Sequence, residues 1–126
     1  MKKDGSLTWE LPWAFDAQAA ASYIAISLGA DGTLYAVAPD GTVRAISADG
    51  TEQWSLSIGA NGTAPVVDGA GTIYELGEYG LYAITPAGQI GWFYPVYFTP
   101  NGALAMGSDG TLYVSAFGVF AIGDPP

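Results

Sequence analysis

Short apolar runs broken by Gly, Asp and Pro set the rhythm of the chain. Residues 34–38 (LYAVA) and 119–122 (VFAI) are apolar without interruption. A sheet with one wet face alternates polar and apolar residues instead. Strands that are apolar on both faces fit sheets stacked face to face, with neighbours on both sides. The pattern predicts strands at 64–67, 72–76, 81–85 and 89–94, with turns at 68–71, 77–80 and 86–88. Asp40-Gly41 reads as a two-residue hairpin turn, because both positions tolerate positive φ. Many short strands with regular turn signals predict an all-β protein.

The pattern repeats. Asp31-Gly32-Thr33-Leu34-Tyr35 returns 39 positions later as Ala70-Gly71-Thr72-Ile73-Tyr74, and after another 39 as Asp109-Gly110-Thr111-Leu112-Tyr113. Val43-Arg44-Ala45-Ile46 returns at steps of 38 as Leu81-Tyr82-Ala83-Ile84 and Val119-Phe120-Ala121-Ile122. A third landmark, Asp49-Gly50 with Trp54 four residues on, matches Ala87-Gly88 with Trp92. Each unit then holds four short antiparallel strands in about forty residues, the pattern of a β-propeller blade. The blades are expected at 22–58, at 61–97 and, for three strands only, at 100–123.

These landmarks (DGTLY, LYAI and DGTEQW) resemble the PQQ-like propeller repeat over nearly the whole chain. The stretch from Ala45 to Trp54 is one residue shorter than in that family, and it uses Asp-Gly where a Thr-Gly turn is common. The likeness is therefore to the broad PQQ-like group, not to its quinoprotein enzymes. The resemblance implies that Trp9, Trp54 and Trp92 pack between neighbouring blades.

The third unit stops after its third strand, and Asp4-Gly5-Ser6-Leu7-Thr8-Trp9 aligns with residues 49–54. Residues 1–11 thus read as the outer, closing strand of the third blade. Propellers usually have about four to eight blades, so three should not close alone. Two chains would make a six-bladed ring. In it Ser6, Leu7, Thr8, Trp9, Glu10 and Leu11 of each chain complete the other's third blade, with equivalent junctions as a closed two-fold assembly requires. A ring of nine blades from three chains is the weaker option. A piece of a longer propeller is a further reading.

Composition narrows the function. The net charge is −9, and the only cations are Lys2, Lys3 and Arg44. No basic patch can neutralise phosphates or anionic lipids, so neither nucleic acid nor membrane is expected as a partner. There is no cysteine and no histidine. Thiolate metal sites, Ser-His-Asp chemistry and the usual near-neutral acid/base are absent with them. No signal peptide and no membrane-spanning stretch is read from the chain, no cofactor is expected, and the compartment is left open.

Two aromatic clusters are candidate ligand sites. The segment between Trp9 and Asp31 is longer than its counterparts and holds Trp13, Phe15 and Asp16, with a helical turn expected at 17–21. Residues 92–100 (WFYPVYFTP) hold Phe93, Tyr94, Tyr97 and Phe98. Aromatics with hydroxyl tips suit sugar rings or flat ligands, which makes a carbohydrate-binding propeller the competing reading. The simpler reading is that the first cluster covers the strand-exchange junction and the second fills inter-blade core. Glu75 and Glu78 are a closely spaced pair of acids within the second blade. They could serve glycoside hydrolysis only with separated pKa values, and they read more simply as solvated strand-end and turn carboxylates. Asp31, Asp40, Asp49 and Asp109 lie in separate turns and read as turn formers, not calcium ligands. The expectation is a non-catalytic scaffold or interaction module, a homodimer with a possible protein or carbohydrate partner.

Overall fold

A computed structural model describes residues 5–11, 24–60, 63–95, 102–115 and 118–123. Among them there is no helix, and eleven strands form three antiparallel sheets. Sheet one is β1 (Ala25–Leu28), β2 (Leu34–Val37), β3 (Thr42–Ile46) and β4 (Glu52–Ser57), paired in chain order. Sheet two repeats the order with β5 (Val66–Val67), β6 (Ile73–Gly77), β7 (Gly80–Ile84) and β8 (Ile90–Pro95). Sheet three holds β9 (Ala103–Met106), β10 (Leu112–Ser115) and β11 (Val119–Ile122). The all-β expectation therefore stands. Residues 12–23, with the helical turn expected at 17–21, lie outside the described residues.

The repeat is visible in the register. Ala45 opposes Trp54 in sheet one, and Ala83 opposes Trp92 in sheet two. Both pairs of strands shift register at the next residue, between Ala45 and Ile46 and between Ala83 and Ile84. Identical bulges at equivalent positions bend both outer strands in the same way.

One turn design recurs. Gly41 N–H donates to Ala38 O at 3.0 Å, and Ala38 N–H donates to Thr42 O at 2.9 Å. The same pair of bonds closes the turns at Gly32, Gly50, Gly71, Gly88 and Gly110, and each of these glycines has φ near +90°. This is a three-residue loop with a left-handed glycine that makes a bulge. It corrects the expectation for Asp40-Gly41: Pro39 belongs to the loop, and no non-glycine residue among those described has positive φ. Asp carboxylates finish the design. Asp31, Asp40, Asp49 and Asp109 each accept the backbone N–H two residues on, at 2.9, 3.1, 3.1 and 3.0 Å. Those bonds hold the Asp31 and Asp109 carboxyls below their ordinary pKa. At Asp49 the Ser47 hydroxyl lowers the pKa first, and Thr51 adds to it. The two-residue hairpin occurs instead at Glu78-Tyr79, where Gly77 pairs with Gly80.

Side chains alternate across each strand, so every sheet has two faces. Tyr35, Val37, Val43 and Ala45 of sheet one pack on Ile73, Ile84 and Tyr82 of sheet two. On the other face of sheet two, Leu76, Leu81, Val66 and Tyr74 pack on Leu112, Val114, Leu104, Met106 and Ile122 of sheet three. Burial of side chains such as Ile73, Leu76, Leu81 and Ile84 contributes about 1.5–3 kcal/mol each. Polar bridges fix the sheet spacing. Glu78 N–H donates to Ile58 O at 2.9 Å, Thr63 Oγ1 donates to Gly102 O at 3.0 Å, and Ser27 Oγ donates to Pro65 O. Apolar strand runs are buried where two sheets meet, as at β2. They are not buried at β11, which among the described residues pairs with β10 alone.

Candidate functional site

The aromatic candidates separate once placed. Trp13, Phe15, Asp16, Tyr97 and Phe98 lie outside the described residues. Phe93 and Tyr94 are neighbours on β8, so alternation puts them on opposite faces. Phe93 stacks on Tyr82, with ring centroids 4.8 Å apart. Trp92 lies on the other face against Tyr74 at 5.9 Å, and Tyr74 donates its hydroxyl to Asp68 Oδ2 at 2.9 Å. Tyr94 shares the Trp92 face and is half exposed. Phe93 and Tyr94 therefore do not converge on one ligand.

The acid pair also separates, and here the expectation is corrected. Glu75 is not a solvated carboxylate; it is fully buried on β6. Its Oε1 accepts the Leu76 N–H at 2.7 Å, and its Oε2 has no hydrogen-bond partner among the described residues. Burial pushes its pKa up to about 9, against the pull of the Leu76 bond, so it is neutral at pH 7. Glu78 is exposed in the following turn. The sequence does hold a signal: Glu75 occupies the repeat position of Ala36 and Val114, both apolar and both buried. Among the described residues no group of acidic side chains is arranged to hold a metal ion, and no helix is long and apolar enough to cross a membrane.

The tryptophans make a graded series. Trp54 closes on the next unit: its Nε1 donates to Pro86 O at 2.9 Å, and its ring covers Gly88. It also tilts against Tyr35, with centroids 6.1 Å apart. Trp9 does the same one unit earlier. Its Nε1 donates to Ala48 O at 2.9 Å, and its ring covers Gly50. A Cβ at Gly50 or Gly88 would come within 2.8 or 2.6 Å of the indole, so only glycine permits the contact. Trp9 thus sits where the outer-strand tryptophan of a preceding unit belongs. The segment around it, residues 5–11, forms no strand within the chain. Trp92 is 42% exposed.

The end faces are the other feature. Sheet three turns Ala103, Ala105, Tyr113, Ser115, Val119 and Ala121 away from sheet two, by pairing and alternation. Tyr113 is 42% and Val119 76% exposed. Val119 is the repeat counterpart of Val43 and Leu81, and both of those are fully buried. At the opposite end of the chain, sheet one exposes Ile26 and Leu28, at 58% and 69%. Ala36 and Ile46 on the same face are buried.

No protein-family model matches the chain, and no curated protein matches it.

Proposed function

We propose that the chain is a non-catalytic, three-bladed half of a PQQ-like β-propeller, and that it works as an interaction scaffold after pairing with a second copy. Each sheet is then a blade, and two chains make a six-bladed ring. The observation that carries this reading is the open face of sheet three. It presents Tyr113, Val119 and Ala121, the repeat counterparts of the residues sheets one and two bury against their neighbours. A face built to the same pattern fits the same kind of neighbour, here sheet one of a second copy with Ile26 and Leu28.

Trp9 supports the reading from the other side. Its seat on Gly50 holds residues 6–11 where the outer strand of a preceding blade would run. The repeat gives that strand a register on the partner's β11: Trp9 opposite Ala121, as Trp54 is opposite Ala45 and Trp92 opposite Ala83. Pairing there also covers the open edge of β11, which otherwise invites uncontrolled association. Among the described residues the closely spaced blade acids do not act as a pair: Glu75 is buried and neutral, and Glu78 lies in an exposed turn.

The experiment is sedimentation equilibrium of the intact chain. The proposal expects about 26 kDa, twice the 13.0 kDa of one chain. A single 13.0 kDa species across micromolar concentrations contradicts it.

A further inference from the structure

Two tryptophans of the chain rest on left-handed glycines, and the series has one more glycine and one more tryptophan than these pairs use. Gly50 precedes Trp54 by four residues, Gly88 precedes Trp92 by four, and Gly5 precedes Trp9 by four. Their φ values are +90°, +87° and +88°. Gly50 lies under Trp9 and Gly88 under Trp54. Gly5 has the same backbone shape, yet a Cβ there would meet nothing within 4 Å. Gly32 and Gly110 are equally left-handed and open, so what sets Gly5 apart is its place four residues before Trp9, the place Gly50 and Gly88 hold before Trp54 and Trp92.

Trp92 is the matching ring. A step of 38 from Gly88 leads to Pro126, which is not a glycine. Trp92 instead borders an open cavity of about 270 Å³, shared with Tyr74, Gly110, Leu112, Ile122 and Gly123. The cavity lies between the outer strand of sheet two and the strands of sheet three.

We infer that the Trp92 indole of one chain closes over Gly5 of a second copy, which enters beside β11 and fills this cavity. The inference rests on the dimer reading above and adds the contact that selects the partner. Only a chain with a left-handed glycine four residues before the tryptophan of its closing strand can seat there. A β-carbon at that place would strike the ring, as it would at Gly50 and Gly88. The contact is symmetric, so each dimer contains it twice.

The test uses Gly5→Val and Trp92→Ala in the full chain, with Gly32→Ala as a control. Gly32 has φ +90° and nothing within 4 Å, so it reports the cost of a side chain in this backbone shape alone. Dimer dissociation constants come from sedimentation velocity, and far-UV circular dichroism checks that the sheets are intact. Gly5→Val and Trp92→Ala should each weaken dimerisation about tenfold or more, while Gly32→Ala stays within about twofold. Mixing the two variants should restore association. The mixed dimer regains one wild-type contact, and the valine faces the space left by the missing indole. Should Trp92→Ala fail to fold, Trp92→Leu replaces it.

Single variants that dimerise like the wild type overturn the contact and leave the dimer standing. Weakening without rescue on mixing places the effect within one chain and also overturns it. A wild-type chain of 13.0 kDa removes both the dimer and the contact.

Discussion

The indole of Trp54 lies flat enough on Gly88 that a Cβ at residue 88 would come 2.6 Å from its Cδ2, while its Nε1 holds Pro86 O at 2.9 Å. One side chain of sheet one thus clamps a turn of sheet two by an apolar and a polar contact together. The glycine is required twice over, by its φ of +87° and by the ring above it.

Gly88→Ala should therefore cost more than an ordinary left-handed glycine substitution. Strain at positive φ costs about 1–2 kcal/mol, and overpacking against the indole adds about 1–3 kcal/mol. Gly32→Ala has the strain without the clash. Urea unfolding of the two variants should place Gly88→Ala clearly below Gly32→Ala in stability.

Leu81 and Val119 hold one repeat position in two surroundings. Leu81 is fully buried between sheets two and three, so Leu81→Ala should destabilise the fold by about 2–5 kcal/mol in thermal or urea unfolding. Val119 is 76% exposed in the single chain. Val119→Asp should leave the circular dichroism spectrum unchanged and abolish the dimer in light scattering. A Val119→Asp chain that stays dimeric would place the interface elsewhere.

Glu75 makes stability depend on pH in an unusual direction. Its folded pKa, about 9, lies above the ordinary 4.5. The folded chain binds the proton more tightly than the unfolded chain, so this contribution is complete below pH 4.5. It is lost as pH rises toward 9, at no more than about 1.4 kcal/mol per pH unit. Thermal midpoints of the wild type should fall between about pH 6 and pH 9. Glu75→Gln keeps the shape without the titration, and its midpoint should fall less over the same range. Parallel curves for the two proteins would contradict the buried, neutral carboxyl.

The periodic landmarks make the repeat legible in the sequence itself. The landmarks mark a turn glycine and a second-strand tyrosine in all three sheets, and a tryptophan on the fourth strand of sheets one and two. Asp40-Gly41 is legible as a turn but not as a three-residue one, because the bonds that include Pro39 depend on Ala38 and Thr42 pairing. Glu75 reads as solvated when its identity is weighed without its column: Ala36 and Val114 at the same repeat position mark it as buried. Phe93 and Tyr94 look like one cluster along the chain, and strand alternation sends them to opposite faces. Gly5 is legible as a turn residue. That its backbone shape matches Gly50 and Gly88, with nothing above it, is a fact of three dimensions.

The proposed pairing of residues 6–11 with β11 of another chain is tested most directly by a disulfide at its predicted register. Arg44 opposes Ser55 and Tyr82 opposes Phe93, so the repeat sets Phe120 opposite Glu10. The protein has no cysteine of its own, so a chain carrying both Glu10→Cys and Phe120→Cys holds only these two thiols, and the two single-cysteine chains, which should give no such band, control for like-with-like pairing. After oxidation, a non-reducing gel should show a band at about 26 kDa, twice the 13.0 kDa chain, which collapses on reduction. A disulfide-bonded species that runs at 13.0 kDa would mean that the strand closes on its own chain, and would contradict the exchange.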